Sequence, residues 1–92
     1  MRIRWTKPAA EDFTNICDYV KDRDGSEAAL RVALRIYDSV SSLTQFPHRG
    51  RPGRKVGTRE LIFSGLPFLA VYRVREDTVE ITRLLHGAQH WP

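Results

Sequence analysis

Hydrophobic residues recur at helical spacing in the first quarter of the chain. Five of them fall at i, i+4, i+7, i+8 and i+11, which is one face of a helix: Ala9, Phe13, Ile16, Cys17 and Val20. Thr6 supplies a start, because a threonine oxygen can cap free N–H groups, and Pro8 fits the first turn. Gly25 supplies an end, since glycine takes a left-handed conformation at low cost. The pattern predicts an amphipathic helix between these signals, with Glu11 and Asp12 near its positive end.

A second and longer amphipathic pattern follows. Ser26 is a good N-cap residue, and the pattern ends at Phe46 because a residue before proline avoids the helical conformation. One stripe of this predicted helix is apolar: Leu30, Ala33, Ile36, Tyr37, Val40 and Leu43. Two amphipathic helices joined by a short turn form a helical hairpin, and each must bury one face against another element.

Strand patterns occupy the remaining segments. Residues 2–5 alternate polar and apolar, while residues 59–64, 67–74 and 78–86 are rich in Val, Ile, Leu, Phe and Tyr. The links GLP and REDT are short and turn-like, so the last three strands form an antiparallel meander with the first strand at an edge. We therefore predict one α+β domain over residues 1–92, of order β-α-α-β-β-β. Its antiparallel twisted sheet is covered on one face by the helical hairpin.

The composition is that of an ordinary globular chain. It has 92 residues, of which 41% are hydrophobic and 28% charged, and this excludes compositional disorder. No apolar run approaches the roughly eighteen residues of a membrane span, and the N-terminus lacks the apolar segment of a secretory signal. A single cysteine, Cys17, cannot form an internal disulfide. These features predict a cytoplasmic protein without a membrane partner.

The excess positive charge lies in the second half of the chain. The formal net charge is +4; residues 47–92 carry eight basic and four acidic side chains, whereas residues 1–46 carry seven of each. The densest basic segment is PHRGRPGRKVGTRE, residues 47–60. Such a surface attracts an anion, and we expect nucleic acid to contact Arg49, Arg51, Arg54 and Lys55. The structural alternative is a solvated loop whose arginines serve solubility.

Four features of the chain together resemble the RelE/ParE superfamily of type II toxin-antitoxin toxins. They are the order of elements, the basic GRPGRKV loop, the stretch RELIFSGLPFLAVYRV and the ending VEITRLLHGAQHW. The resemblance covers essentially the whole chain. It implies a growth-arresting toxin that a cognate antitoxin holds inactive. Members of the superfamily differ in target: RelE-like toxins cleave mRNA on the ribosome, and ParE-like toxins poison DNA gyrase.

RNA cleavage without a metal needs a base, positive charge for the transition state and an acid for the leaving 5′-oxygen. Arg59, Arg73 and Arg83 lie on three successive predicted strands and could converge if those strands are neighbours. His86 is the candidate acid-base group, because an imidazole titrates near neutrality. The resemblance to RelE-like nucleases implies similar positions for the transition-state arginines. No metal site or cofactor is predicted, because the histidines have no cysteine or carboxylate cluster at ligand spacing.

Each of these candidates also has a structural explanation. Strict alternation puts Arg83 among core positions, which a β-bulge or an ion pair with an acid such as Glu60 would explain. Arg73 also alternates with hydrophobic residues, so the same explanation applies to it. His86 could be a polar strand-end residue satisfied by the backbone. The terminal Trp91 is expected to pack on the sheet rather than stack a base.

Three functional hypotheses remain at this point. The first is ribosome-dependent mRNA cleavage, and the alternative is inhibition of DNA gyrase, which needs no catalytic group. The second half of the chain has one lysine, Lys55, and no tyrosine after Tyr72, and both facts depart from the lysine-rich, tyrosine-ended nuclease pattern. The third hypothesis, from a different class, is a non-toxic nucleic-acid binding module, supported by the same charge asymmetry.

Overall fold

The computed structural model describes residues 1–87 as two helices and a five-stranded sheet. The elements in chain order are β1 (Arg2–Trp5), α1 (Lys7–Asp24), α2 (Ser26–Ser41), a 3₁₀ turn (Ser42–Thr44), β2 (Arg51–Pro52), β3 (Arg59–Ile62), β4 (Phe68–Arg75) and β5 (Thr78–His86). The predicted α+β class and element order are confirmed, and β2 is an additional short strand within the basic segment. Trp91, expected to pack on the sheet, lies outside the described residues. Neither helix in the described range is long and apolar enough to cross a membrane.

The first strand pairs in parallel, which corrects the prediction of an antiparallel sheet. The strand order is β1-β5-β4-β3-β2, so β1 lies at an edge as predicted, but it runs parallel to residues 78–81 of β5. The other pairings are antiparallel. Parallel neighbours need a long crossover, and the chain between β1 and β5 supplies one. The polar-apolar pattern of an edge strand carries no information about this direction.

One residue, Gly25, both ends α1 and precedes α2. Thr6 caps α1 as predicted, because its side-chain oxygen accepts the N–H of Ala9 at 3.2 Å. Gly25 adopts a φ of 95°, which favours glycine, and its N–H bonds to the carbonyl of Lys21. The predicted cap at Ser26 is wrong, since Ser26 is already the first residue of α2 and the N-cap position belongs to Gly25. This single-residue link keeps the two helices side by side.

The main core lies between the helices and one face of the sheet. Its buried members are Ala9, Ile36, Val40, Leu43, Leu61, Phe63, Ala70, Tyr72, Val79, Ile81 and Leu84. The apolar stripe of α2 is narrower than predicted, because Leu30 and Tyr37 are 60% and 54% exposed. Ile36 and Val40 occupy the core-facing side, and Leu30, Leu34 and Tyr37 form an apolar strip on the solvent side.

A β-bulge in β5 changes which residues face the core. Val71 pairs with Arg83 and Tyr72 with Ile81, so Thr82 has no strand partner. The extra residue reverses the alternation, and Leu84 therefore joins Ile81 in the main core. This confirms the β-bulge that was suggested to explain why Arg83 alternates with core residues. The opposite side of the sheet, here called the outer face, carries a second buried cluster of Leu69, Val71 and Leu85.

Candidate functional site

A buried tyrosine and one arginine anchor the start of the basic segment. The hydroxyl of Tyr72 donates to the carbonyl of Pro47 at 2.8 Å and accepts the N–H of Gly50 at 2.9 Å. Arg59 donates from one Nη to the carbonyls of Gly50 and His48, at 2.7 and 3.2 Å. A Cβ at Gly50 would lie 2.8 Å from the Tyr72 hydroxyl, so the close approach needs glycine. Arg59 is thus part of the frame that holds this segment.

The four residues expected to contact nucleic acid differ in their surroundings. Arg49 donates to the side-chain oxygen of Ser42 at 2.6 Å. Arg51 donates twice to one carboxylate oxygen of Glu60, at 3.1 and 2.9 Å. In the described part of the chain, the exposed side chains of Arg54 and Lys55 have no hydrogen-bond or ion-pair partner. These two cations are the ones available to an incoming anion.

Glu60 is the buried member of its ion pair. The residue is 4% exposed, whereas the Arg51 side chain that covers it is 57% exposed. Only one of its carboxylate oxygens is hydrogen bonded, and the other has no partner among the described residues. Glu60 lies on the outer face of the sheet, where it pairs with Val71 of β4. Arg51 therefore neutralises an otherwise uncompensated carboxylate.

Arg73 is held by an acid on the neighbouring strand. It pairs in register with Glu80 of β5, and its Nε donates to that carboxylate at 2.9 Å. Arg4 of β1 also binds Glu80. The hydrogen bond from Arg73, with the charge of Arg4, lowers the pKa of Glu80 against the opposing effect of desolvation. Two arginines, on the strands to either side of β5, thus share one carboxylate.

Arg83 is held by an acid on the first helix. Its Nε and Nη2 donate to the two oxygens of Asp12, at 2.7 and 3.1 Å. The same carboxylate accepts the N–H of Leu84 at 3.0 Å. The hydrogen bonding with Asp12 raises the pKa of Arg83, so the guanidinium stays charged. Asp12 was expected to serve the positive end of α1, and the structure instead joins it to β5.

His86 ends β5 on the side of the sheet that faces the helices. It pairs in register with Phe68 of β4, and the two rings meet edge to face with centroids 5.7 Å apart. The imidazole lies at the mouth of a groove between α1 and the strands, which Tyr19 and Leu84 also line. The contact with Phe68 orients the ring at this exposed strand end.

The predicted convergence of the three arginines does not occur. Their strands are neighbours, but Arg59 pairs with core-facing Tyr72, whereas Arg73 is the next residue along β4 and points to the outer face. Arg83 lines an outer-face groove together with Arg73 and Lys55, and it also lines the helix-side groove that contains His86. Alternation indicates which residues of one strand share a face, but it does not show which face of a neighbouring strand lies on the same side of the sheet.

Residues 1–87 include no group of three or more His, Cys, Asp and Glu side chains that could hold a metal ion. Cys17 is half-buried, and burial, with a smaller effect of Asp18, raises the pKa of its thiol. A thiol in this state is a poor nucleophile at neutral pH.

The acids that hold Arg73 and Arg83 were not predicted from the sequence. Glu80 had a signal: a two-residue turn that pairs Arg75 with Thr78 also places Arg73 opposite Glu80. Asp12 had no local signal, because it is 71 positions from Arg83 in the chain. The first pair can be predicted from hairpin register, and the second depends on how α1 packs.

Comparisons with known proteins agree with the fold. A family model described as the ParE toxin of the type II toxin-antitoxin system parDE matches residues 3–91. Putative toxin Y4kP of Sinorhizobium fredii is 42% identical over 99% of this chain and 93% of its own length. Toxin RelE2 of Caulobacter vibrioides is 35% identical over 96% of this chain and 97% of its own.

A solved structure shares the same architecture. The matching chain, from the chromosomal ParDE toxin-antitoxin system of P. aeruginosa, superposes with a TM-score of 0.87 and 33% identity. The match covers 94% of this chain and 95% of that one. These findings support a cognate antitoxin as the partner of this chain. The chain is a toxin of a type II toxin-antitoxin system and belongs to the ParE toxin family of the RelE/ParE superfamily.

Proposed function

We propose that the protein arrests growth by inhibiting DNA gyrase without cleaving RNA. The sequence analysis placed mRNA cleavage first and gyrase second. The observation that reverses this order is the separation of the candidate catalytic groups: Arg59 and His86 are on the helix side of the sheet, and Arg73 points to the outer face. The proposed inhibitor needs a binding surface and no proton transfer.

The ion pairs support the same proposal. A transition-state arginine must offer its N–H groups to a phosphate oxygen as negative charge develops. Glu80 and Asp12 already bind Arg73 and Arg83, and Arg59 already donates to two carbonyls. A phosphate held by all three arginines at once would have to displace the contacts of Arg59, which lies on the other side of the sheet from Arg73. The arrangement is better suited to holding the fold and presenting a surface of fixed charge.

The family supports gyrase as the target. The matching family model is that of ParE toxins, and the solved relative at 33% identity comes from a ParDE system. The superfamily resemblance implies gyrase for ParE-like members. Gyrase works with DNA inside the cell, so we place the toxin in the cytoplasm, where its antitoxin also acts.

The basic segment would meet the target first. Arg54 and Lys55 project from the loop between β2 and β3 without a partner in the described part of the chain, and they can form new ionic contacts at little structural cost. Arg49 and Arg51 are also exposed and retain free N–H groups after binding Ser42 and Glu60. We propose these four residues as the anion-facing part of the target interface.

The antitoxin would protect cells by covering exposed apolar surface as well as charge. The strip of Leu30, Leu34 and Tyr37 on α2 is the most continuous exposed apolar surface on either described helix. A small, partly disordered antitoxin could order on such a surface as it binds. Co-expression with the adjacent open reading frame should then restore growth to cells that produce the toxin.

A supercoiling titration tests the proposed function. Purified wild-type protein should block supercoiling by gyrase in a concentration-dependent way. His86→Gln should inhibit within about threefold of wild type, because a lost general acid would instead cost about 100-fold or more. Gyrase activity that is unchanged at saturating wild-type protein would refute the proposal. Circular dichroism confirms that the variant is folded.

A further inference from the structure

A groove of about 350 Å³ opens on the outer face, next to the basic segment. Lys55, Arg73 and Arg83 line its sides, and Val71 and Leu85 contribute apolar surface. Arg83 also lines the helix-side groove that contains His86, so the two grooves adjoin at this residue. We name the outer-face groove the outer groove. Three cations around one concave surface attract an anion that is large enough to touch several of them.

The three cations of the outer groove differ in how many of their N–H donors are already hydrogen bonded. Lys55 has no partner in the described part of the chain. Arg73 uses its Nε for Glu80, which leaves both Nη groups, and Arg83 uses Nε and Nη2 for Asp12, which leaves Nη1. The ion pairs therefore fix the two guanidinium groups without consuming all their donors. Side chains held in place lose less entropy when they bind a ligand.

Two threonines also line the groove, but their hydroxyl protons are used. Thr58 donates to the carbonyl of Lys55 at 2.6 Å, and Thr82 donates to the carbonyl of Val71 at 3.1 Å. These hydroxyls can accept a hydrogen bond but have no proton left for a phosphate. The cations would therefore supply the contacts to an anion. Of the three, Lys55 would not have to give up an existing hydrogen bond or ion pair in the described part of the chain.

We propose that the outer groove binds the phosphate backbone of DNA, so that the toxin holds the DNA of its target complex as well as the enzyme. This inference rests on the proposed action on gyrase for its choice of DNA. Arg54 precedes Lys55 in the chain and is also exposed, which adds a further cation to the basic segment. Backbone contacts of this kind bind without reading sequence, which suits an inhibitor of an enzyme that acts on many DNA sites.

A binding assay with the toxin alone tests the inference. Fluorescence anisotropy measures binding to one labelled duplex DNA and to an RNA duplex of the same sequence, over a range of salt concentrations. Lys55→Gln should weaken DNA binding about threefold to tenfold and reduce the magnitude of the salt slope by about one phosphate contact. Lys21→Gln on α1 is the matched control, because it removes an equally exposed lysine away from the groove. It should bind like wild type.

The outcomes separate this inference from the proposed function. Equal losses in Lys55→Gln and Lys21→Gln, or binding of the RNA duplex alone, would overturn the DNA site. Wild-type protein that blocks supercoiling yet binds no DNA would also overturn the site while leaving gyrase as the target. DNA binding that depends on Lys55 without any effect on supercoiling would support the site and reject the proposed function.

Discussion

Asp12 on α1 binds Arg83 on β5 through two hydrogen bonds, of 2.7 and 3.1 Å, and so joins residues 71 positions apart. The same carboxylate accepts the N–H of Leu84, where β5 has passed the end of its pairing with β1. The side chain of a helix residue thus continues the hydrogen bonding of an open strand edge. The contact fixes α1 to the sheet on the strand segment that follows the bulge.

Replacing Asp12 by Asn should destabilise the fold by about 1–2 kcal/mol, because it removes a charge-assisted pair and weakens the contact with Leu84. Urea unfolding measures this change. Asp22→Asn is the matched control, since Asp22 is exposed on the same helix and has no side-chain partner among the described residues. Equal stability of the two variants would show that the Asp12–Arg83 contact contributes nothing in solution.

The ion pairs of Glu80 should make stability depend on acid pH. The lowered pKa of Glu80 means that its pairs stabilise the fold above the ordinary carboxyl pKa of 4.5. That stabilisation is lost as the pH falls from there through the lowered pKa. Glu80→Gln should therefore be less stable than wild type at neutral pH, and the difference should shrink on acidification. Free energies of unfolding between about pH 3 and pH 7 measure this, with exposed Glu11→Gln as the control.

Arg51 and Arg54 should differ in how much each contributes to the stability of the fold. Arg51→Ala leaves the buried carboxylate of Glu60 without its partner, so we expect a loss of about 1–3 kcal/mol. Arg54→Ala should change stability by less than about 0.5 kcal/mol, because the side chain is exposed and unpaired in the described part of the chain. Thermal unfolding of both variants checks this. Similar melting temperatures would mean that the Arg51–Glu60 pair is not formed in solution.

The Tyr72 hydroxyl should stabilise the start of the basic segment. Tyr72→Phe leaves the buried N–H of Gly50 without its acceptor and deprives the carbonyl of Pro47 of a donor. We expect a loss of about 1–3 kcal/mol in the free energy of unfolding. Tyr37→Phe removes a hydroxyl from a half-exposed ring and should have almost no effect. Hydrogen exchange at Gly50 should rise only in the first variant, and unchanged protection there would contradict this account of the anchor.

The sequence predicted most of the fold because its elements have strong local signals. The last strand was predicted at residues 78–86, and the structure places β5 at Thr78–His86. The capping role of Thr6 and the helix end at Gly25 were likewise local and correct. The direction of β1 had no local signal, because β1 pairs with β5, which lies more than seventy residues away in the chain. A short alternating pattern has the same appearance in either orientation.

The candidate site was less predictable, because its geometry depends on side chains that meet through packing. The extra residue at Thr82 turns Arg83 away from the core, and a bulge of this kind changes the parity of every later position in the strand. The partner of Arg83 comes from another layer of the fold. Residue type alone therefore indicated cationic chemistry. That Arg59 and Arg73 lie on opposite faces could be found only from the strand pairing in the structure.

We propose that this toxin acts on gyrase and leaves RNA intact, and one experiment tests both parts together. One preparation of wild-type protein should be added in parallel to a gyrase supercoiling reaction and to translating ribosomes, with primer extension used to detect cleavage of the ribosome-bound mRNA. We expect loss of supercoiling and full-length mRNA at the same toxin concentration. Cleaved mRNA with unimpaired supercoiling would contradict the proposal.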